Sequence, residues 1–224
     1  MRTKIITLKN NQLSEQVAKD CIEQAKKFGI TAEVFDAING FDAASHLELL
    51  NIKPLGKFKK GRVGIVGCLL SHYYLWLDCI KDNVPYLVLE HDGYFIRPLP
   101  DNILDLFDDV IKLDSGNPYS DSYESWLATH SNDASSIWTI RDDEHGGGNR
   151  ETTAGWNTIG AYAYIIKPHA AEKLVDWVKT NGFLPTDWLI GTKIVSVAHH
   201  LPTIARLHPL YAICLLYTSD AADE

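Results

Sequence analysis

The residues most suited to chemistry close an apolar run. Tyr86-Leu87-Val88-Leu89 carries no charge and ends in Glu90-His91-Asp92-Gly93. In extended backbone, side chains at i and i+2 share a face, so this spacing predicts that Glu90 and Asp92 point together and His91 points away. Two carboxylates converging at the C-terminal edge of a strand repel one another unless a cation sits between them. They are hard oxygen ligands, suited to Mn²⁺ or Mg²⁺ carrying a diphosphate. A cation there neutralises charge on a leaving diphosphate, as Lewis acid and template. The competing reading is a solvated turn after the strand, helped by Gly93.

A second feature is Gly64-Ile-Val-Gly67-Cys68-Leu-Leu-Ser71-His72, leading into Trp76. Glycines ahead of a helix permit close backbone approach, and a helix N-terminus favours phosphate. The spacing is not a phosphate loop, because no Lys-Ser/Thr follows. Ser71 and His72 are neighbours on a helix and diverge, so position does not make them a nucleophile–base pair. His199-His200 and His208 could form a metal cluster with Asp92, but adjacent histidines also diverge, and cations at a helix end are favourable without any ligand role. Trp126, Trp138 and Trp156 are placed either to stack on sugar rings or to anchor a loop.

The elements that must hold these residues follow from periodicity. Lys4 to Leu8 reads as a strand, and Ser14 to Phe28 as an amphipathic helix with Ser14 as N-cap and Gly29 as its stop. Thr31 to Ala37 is a second strand, and this β-α-β opening points to a parallel sheet with nucleotide-binding potential. Residues 40–62 read as irregular, then a helix runs from Val66 to Lys81. The run at Tyr86 fits a strand buried on both faces. Helices are expected at Asp101–Leu113, from Pro168 to Thr180 and at Thr186–Ala198. Strands are expected at Gly160–Ile166 and Thr203–Leu207. Residues 114–158 read as a long functional loop.

Composition sets the outer limits. Nearly half of the 224 residues are apolar, including six Trp and ten Tyr, so a sizeable core is available. The segment Cys214-Leu-Leu-Tyr-Thr-Ser-Asp-Ala-Ala-Asp-Glu224 resembles the translation of a common transposase-type sequencing adapter. We expect residues 214–224 to be read-through and the natural chain to continue beyond residue 213. Without Asp220, Asp223 and Glu224, 29 acidic residues become 26 against 21 basic ones, and the net charge moves from −8 to −5. A mildly acidic chain with no basic block offers no footprint for nucleic acid or anionic membrane. Cys21, Cys68 and Cys79 show neither a disulfide nor a zinc spacing and suit a reducing compartment. No signal-peptide core and no run of about 18 apolar residues is read, so the expectation is a cytoplasmic domain without a membrane span.

Taken together, Gly67-Cys68-Leu-Leu-Ser71-His72, Leu75-Trp76 and Leu89-Glu90-His91-Asp92 resemble glycosyltransferase family 25, which includes lipooligosaccharide and collagen galactosyltransferases. Phe35-Asp36-Ala37-Ile38-Asn39-Gly40 is similar to the family's early strand end. So are Gly160-Ala-Tyr-Ala-Tyr164-Ile-Ile-Lys-Pro-His, Pro185-Thr-Asp187-Trp-Leu-Ile and His208-Pro209 to its later segments. The matches run in family order over residues 3–213.

This resemblance implies a single α/β domain, residues 1–213, with a GT-A-like fold. Its sheet is Rossmann-type and mostly parallel, flanked by helices. It also implies inverting transfer of galactose or glucose from a UDP-sugar to a glycan or lipid-linked saccharide, in lipopolysaccharide or surface-glycan biosynthesis. By position match, Leu8, Asp36, Ser71, His72, Glu90 and Asp92 fall to the donor, while Glu90, Asp92 and His208 fall to Mn²⁺ or Mg²⁺. Asp187 falls to acceptor binding or to general-base catalysis, and an acidic first-turn residue favoured by the helix dipole is its plain alternative. The family usually shows Glu-Asp-Asp where His91 stands here. That departure motivates a second reading, a non-catalytic nucleotide-sugar or glycan-binding module. A metal-dependent hydrolase using Glu90, Asp92 and His208 is a third.

Overall fold

The computed structural model describes residues 1–53, 63–114, 137–139, 150–158 and 160–210. The chain opens as read, with β1 (Arg2–Thr7), α1 (Gln12–Lys27) and β2 (Glu33–Asp36), and β1 pairs β2 in parallel. The cap of α1 is Asn11 rather than Ser14, its side chain accepting from the Ser14 amide at 2.9 Å. Ser14 is buried, and its hydroxyl accepts instead from the Leu8 amide at 2.9 Å, fixing the turn off β1. Gly29, at φ +75°, ends the helix as expected.

Residues 40–62 contain more structure than the sequence promised: a 3-10 turn at Gly40–Asp42 and α2 (Ala43–Leu50), with 54–62 outside the described residues. Then come α3 (Val63–Asp82), β3 (Tyr86–Glu90), β4 (Gly93–Phe95) and β5 (Val110–Lys112). The helix expected over Asp101–Leu113 is instead a short 3-10 turn, Ile103–Asp105, followed by β5. Val110 and Ile111 are fully buried between two neighbouring strands, and that pairing overrides local propensity. Beyond lie β6 (Ile137–Thr139), the hairpin β7 (Arg150–Thr152) and β8 (Gly155–Asn157), β9 (Ala163–Ile166) and α4 (Pro168–Asn181).

The chain continues through α5 (Thr186–Leu189), β10 (Val197–His200) and β11 (Ala205–Leu207). The helix expected to reach Ala198 stops early because the backbone packs against the β7–β8 hairpin at Gly191. A Cβ there would lie 2.4 Å from the Ala154 carbonyl oxygen. His199 and His200 therefore sit in a strand, not at a helix end.

Seven strands form one sheet in the order β2-β1-β3-β9-β5-β10-β6. β9 and β6 run against the other five, so the sheet is mostly parallel, as expected. Helices cover both faces. On one, Tyr86 and Val88 of β3 pack with Leu69, Tyr73 and Trp76 of α3 and Leu174 and Val178 of α4. On the other, Leu87 and Leu89 pack with Val17, Ala18 and Cys21 of α1. The run at Tyr86 is thus buried on both sides. α3 is long and apolar enough by length and composition to cross a membrane, a feature missed in the sequence. It lies in the core here, with Leu69, Leu70, Tyr73, Leu75, Trp76 and Cys79 buried.

Candidate active site

The alternation of β3 dictates where its last residue goes. Glu90 follows Tyr86 and Val88 in register, so it faces α3, where Cys68 and His72 occupy one face four residues apart. Glu90 Oε1 lies 3.3 Å from His72 Nε2 and 3.8 Å from Cys68 Sγ. Behind His72, Nδ1 meets the Tyr164 hydroxyl at 2.9 Å, and Trp76 Nε1 donates to that hydroxyl at 3.0 Å. In the neutral tautomer the hydroxyl proton is left for Nδ1, and Nε2–H then donates to Glu90.

Cys68, His72 and Glu90 line a pocket of about 130 Å³. Its walls are Ile6 and Leu8 from β1, Ala37, Ile38 and Gly40 after β2, Gly64, Cys68, Ser71 and His72 on α3, and Glu90 and His91 after β3. It opens at the carboxyl ends of β1, β2 and β3, the edge at which open α/β sheets bind ligands. Two glycines make it possible. A Cβ on Gly67 would lie 2.6 Å from the Ile38 carbonyl oxygen, and one on Gly40 would lie 2.4 Å from that of Val63. Ser71 ties the same wall, accepting from the Ile38 amide at 2.9 Å and donating to the Gly67 carbonyl at 2.8 Å.

Electrostatics separate the two carboxylates. Burial drives Glu90 toward its neutral form, but the hydrogen bond and charge of His72, with His91 and Cys68 adding, hold its carboxyl below the ordinary value. Asp92 goes the other way: burial first, and the charge of Glu90 second, push it up to about 8. The Cys68 thiol is pushed well up by burial, with the charge of Glu90 adding.

The structure brings Leu8, Ser71, His72 and Glu90 together in this pocket. It corrects the expected geometry of the acidic triplet. β3 ends at Glu90, residues 91–92 form a turn, alternation stops, and His91 rather than Asp92 lines the pocket beside Glu90. Asp92 is buried and its Oδ1 has no hydrogen-bond partner. It lies within electrostatic reach of both Glu90 and Cys21 of α1. His208 touches Asp92 through backbone, its amide donating to the Asp92 carbonyl at 2.8 Å. Its ring stacks edge-on to Tyr94, with Nε2 3.7 Å from Asp20 of α1 rather than in the pocket. Asp36 is exposed and paired with Lys9 at 3.3 Å, outside the pocket wall.

Asp187 belongs to a second polar group beside the first. Its Oδ2 accepts from the Gly160 amide at 3.3 Å. The Gly160 carbonyl is held by Lys112, whose ammonium is buried within the sheet and also donates to the Thr158 hydroxyl at 2.8 Å and carbonyl at 3.1 Å. Burial lowers the Lys112 pKa, while Asp114, Asp187 and Glu90 all act to raise it. Asp187 also acts on the Cys68 thiol, so Glu90 and Asp187 approach the same region from opposite elements. Cys68, Tyr164 and Lys112 were not singled out in the sequence. The four-residue spacing of Cys68 and His72 was a usable signal, whereas nothing local marks Tyr164 or Lys112. Trp156 packs partly buried against the core, in keeping with an anchor, and Trp126 and residues 211–224 lie outside the described residues.

Residues 1–190 match the family described as glycosyltransferase family 25 (LPS biosynthesis protein). The chain belongs to that family and is a glycosyltransferase. No curated protein matches it. Among solved structures, mouse Xyloside xylosyltransferase 1 in its apo form aligns with a TM-score of 0.40 and 10% identity over 84% of this chain and 79% of that one. A glycosyltransferase involved in the glycosylation of the major capsid of PBCV-1 aligns with a TM-score of 0.35 and 10% identity, covering 79% and 67%. Likeness at that level carries no argument about the site.

Proposed function

We propose that the chain transfers a hexose, galactose or glucose, from a UDP-sugar to a hydroxyl of a glycan or lipid-linked saccharide, with inversion, in the building of lipopolysaccharide or another surface glycan. The observation that carries the reading is the pocket at the carboxyl ends of β1, β2 and β3, with the ionised Glu90 at its floor and Asp187 within electrostatic reach. Among the described residues Cys21, Cys68 and Cys79 are free thiols, which suits the cytoplasm as the compartment.

The chemistry of Asp92 fits a cation beside Glu90. Asp92 has a buried carboxyl oxygen without a hydrogen-bond partner, in a group raised first by burial and then by the charge of Glu90, and a cation beside the two carboxylates would offset both effects. Glu90 and Asp92 would hold Mn²⁺ or Mg²⁺, whose charge would stabilise the departing diphosphate. Of the three expected ligands Glu90 alone lines the pocket, Asp92 is within electrostatic reach of it, and His208 is turned to Asp20.

The rest of the work falls to the protein's own groups. Leu8 and the segment from Ala37 to Gly40 would seat the nucleotide. His72 keeps Glu90 ionised. Asp187 would take the proton of the acceptor hydroxyl as its oxygen attacks the anomeric carbon. The sugar–phosphate bond breaks from the opposite face, and its electron pair leaves with UDP. The transition state is oxocarbenium-like, as in glycoside hydrolysis.

UDP release from a panel of UDP-sugars, with and without Mn²⁺, tests this. Cation-dependent release that is lost in Glu90→Ala and Asp92→Ala is expected. Release at the same rate without acceptor would favour a hydrolase, and donor binding without release would favour the non-catalytic module.

A further inference from the structure

We infer that Cys68, His72 and Glu90 form a zinc-selective metal site in the wall of the pocket. The inference concerns the bare metal and does not rest on the donor reading. The ligand atoms of the three residues all lie within 4.8 Å of one another. Zinc bonds of about 2.0–2.1 Å to nitrogen and oxygen and about 2.3 Å to sulfur, at tetrahedral angles, set donors about 3.3–3.6 Å apart. The observed separations, 3.3 Å for His72 Nε2 to Glu90 Oε1 and 3.8 Å for Cys68 Sγ to Glu90 Oε1, are close to those edges. As a hydrogen bond the His72–Glu90 contact is long, since an imidazole–carboxylate bond is ordinarily about 2.7–2.9 Å.

Three further features support the assignment. Cys68 and His72 are four apart on α3, so one helix face presents two ligands to the end of β3. The second nitrogen of His72 is already engaged by Tyr164 at 2.9 Å, and Tyr164 is itself held by Trp76 at 3.0 Å. A metal-ligating histidine ordinarily has such an outer partner. With a cation on Nε2, the His72 proton moves to Nδ1 and is donated to the Tyr164 oxygen, which has lone pairs for it and for the indole N–H together. The third feature is the pocket. Glu90 is 28% exposed at its side chain, leaving a fourth position for water or a ligand group.

A thiolate, an imidazole and a carboxylate together favour Zn²⁺ over Mn²⁺ or Mg²⁺, which prefer oxygen. Binding releases the Cys68 proton and occupies Oε1 of Glu90. Zinc therefore draws Glu90 away from any cation it shares with Asp92.

The test uses Co²⁺ as a spectroscopic stand-in for zinc on the chelator-stripped full chain, with no nucleotide present. One equivalent of Co²⁺ is expected to give a thiolate-to-cobalt charge-transfer band with tetrahedral d–d absorption, both erased by Zn²⁺. Cys68→Ser is expected to lose the charge-transfer band, and Asp92→Asn to keep it. No thiolate band, or the same band in Cys68→Ser, overturns the site. If Cys68→Ser does not fold, Glu90→Gln is read by chelator competition: zinc affinity at least about 10-fold weaker supports the site, and unchanged affinity overturns it. A cobalt band in a protein that releases no UDP leaves this site standing and removes the donor reading alone.

Discussion

His72 Nδ1 and the Tyr164 hydroxyl stand 2.9 Å apart, and this contact decides which face of the imidazole meets Glu90. The two residues lie on different elements, α3 and β9, and neither is exposed. Because Trp76 uses one side of the same hydroxyl, Tyr164→Phe strands two buried nitrogens at once. We expect a loss of about 2–4 kcal/mol in stability. Turnover should also fall further than the fraction unfolded explains, since the His72 ring is no longer held. Urea denaturation beside a UDP-release assay measures both.

Lys112 anchors the loop that presents Gly160 to Asp187. Lys112→Met removes donors from the Thr158 and Gly160 carbonyls and leaves the fully buried Asp114 without its ammonium, 3.8 Å away. Breaking one partner of such a pair costs about 3–5 kcal/mol. Lys112→Met with Asp114→Asn is expected to recover part of that loss. Thermal unfolding of the single and double variants provides the comparison, and a double no better than the single would place the cost elsewhere.

Asp92 makes stability depend on pH in an unusual direction. Its folded value of about 8 lies above the ordinary 3.8, so the fold binds this proton more tightly than the unfolded chain does. The stability it contributes is complete below about pH 4 and drains away as pH rises toward about 8. In chelator, the protein should weaken over that range, and Asp92→Asn should flatten the slope. Urea midpoints at pH 5 and pH 8.5 decide it; parallel curves for the two proteins would show that Asp92 is not the source.

Gly67 is a close approach of α3 to the wall formed by Ile38 and Gly40. Gly67→Ala places a methyl 2.6 Å from the Ile38 carbonyl oxygen and 2.9 Å from the Gly40 amide nitrogen, both backbone atoms with little room to give. A cost of about 1–3 kcal/mol is expected. Nucleotide affinity should weaken with it, because the displaced segment lines the pocket. A stability loss with undiminished UDP binding would separate that wall from the site.

The sequence was most legible where pattern and packing agree. The amphipathic α1, the two-sided burial of Tyr86 to Leu89 and the Pro168 start of α4 are local signals that the core rewards. It failed where a neighbour far along the chain decides the outcome. Val110 and Ile111 become a strand only because β9 and β10 stand beside them, and the helix at Thr186 ends where Gly191 meets Ala154. The site divides along the same line. Glu90, Ser71 and His72, singled out from motif and position, line one pocket. The orientation of His91 and Asp92 was misjudged because strand alternation was carried past the end of the strand. Lys112 and Tyr164 were invisible, since a lone lysine or tyrosine in an apolar run says nothing of the carbonyls or ring that it will meet.

The central claim is that the nucleotide donor sits against Glu90 with a cation between them. Calorimetric titration of UDP into the wild-type protein and Glu90→Gln, each with and without Mn²⁺, tests it most directly. The account predicts binding that needs Mn²⁺ in the wild type and is at least about 10-fold weaker in Glu90→Gln, a difference of about 1.4 kcal/mol or more. Equal, Mn²⁺-independent affinity in both proteins would contradict it.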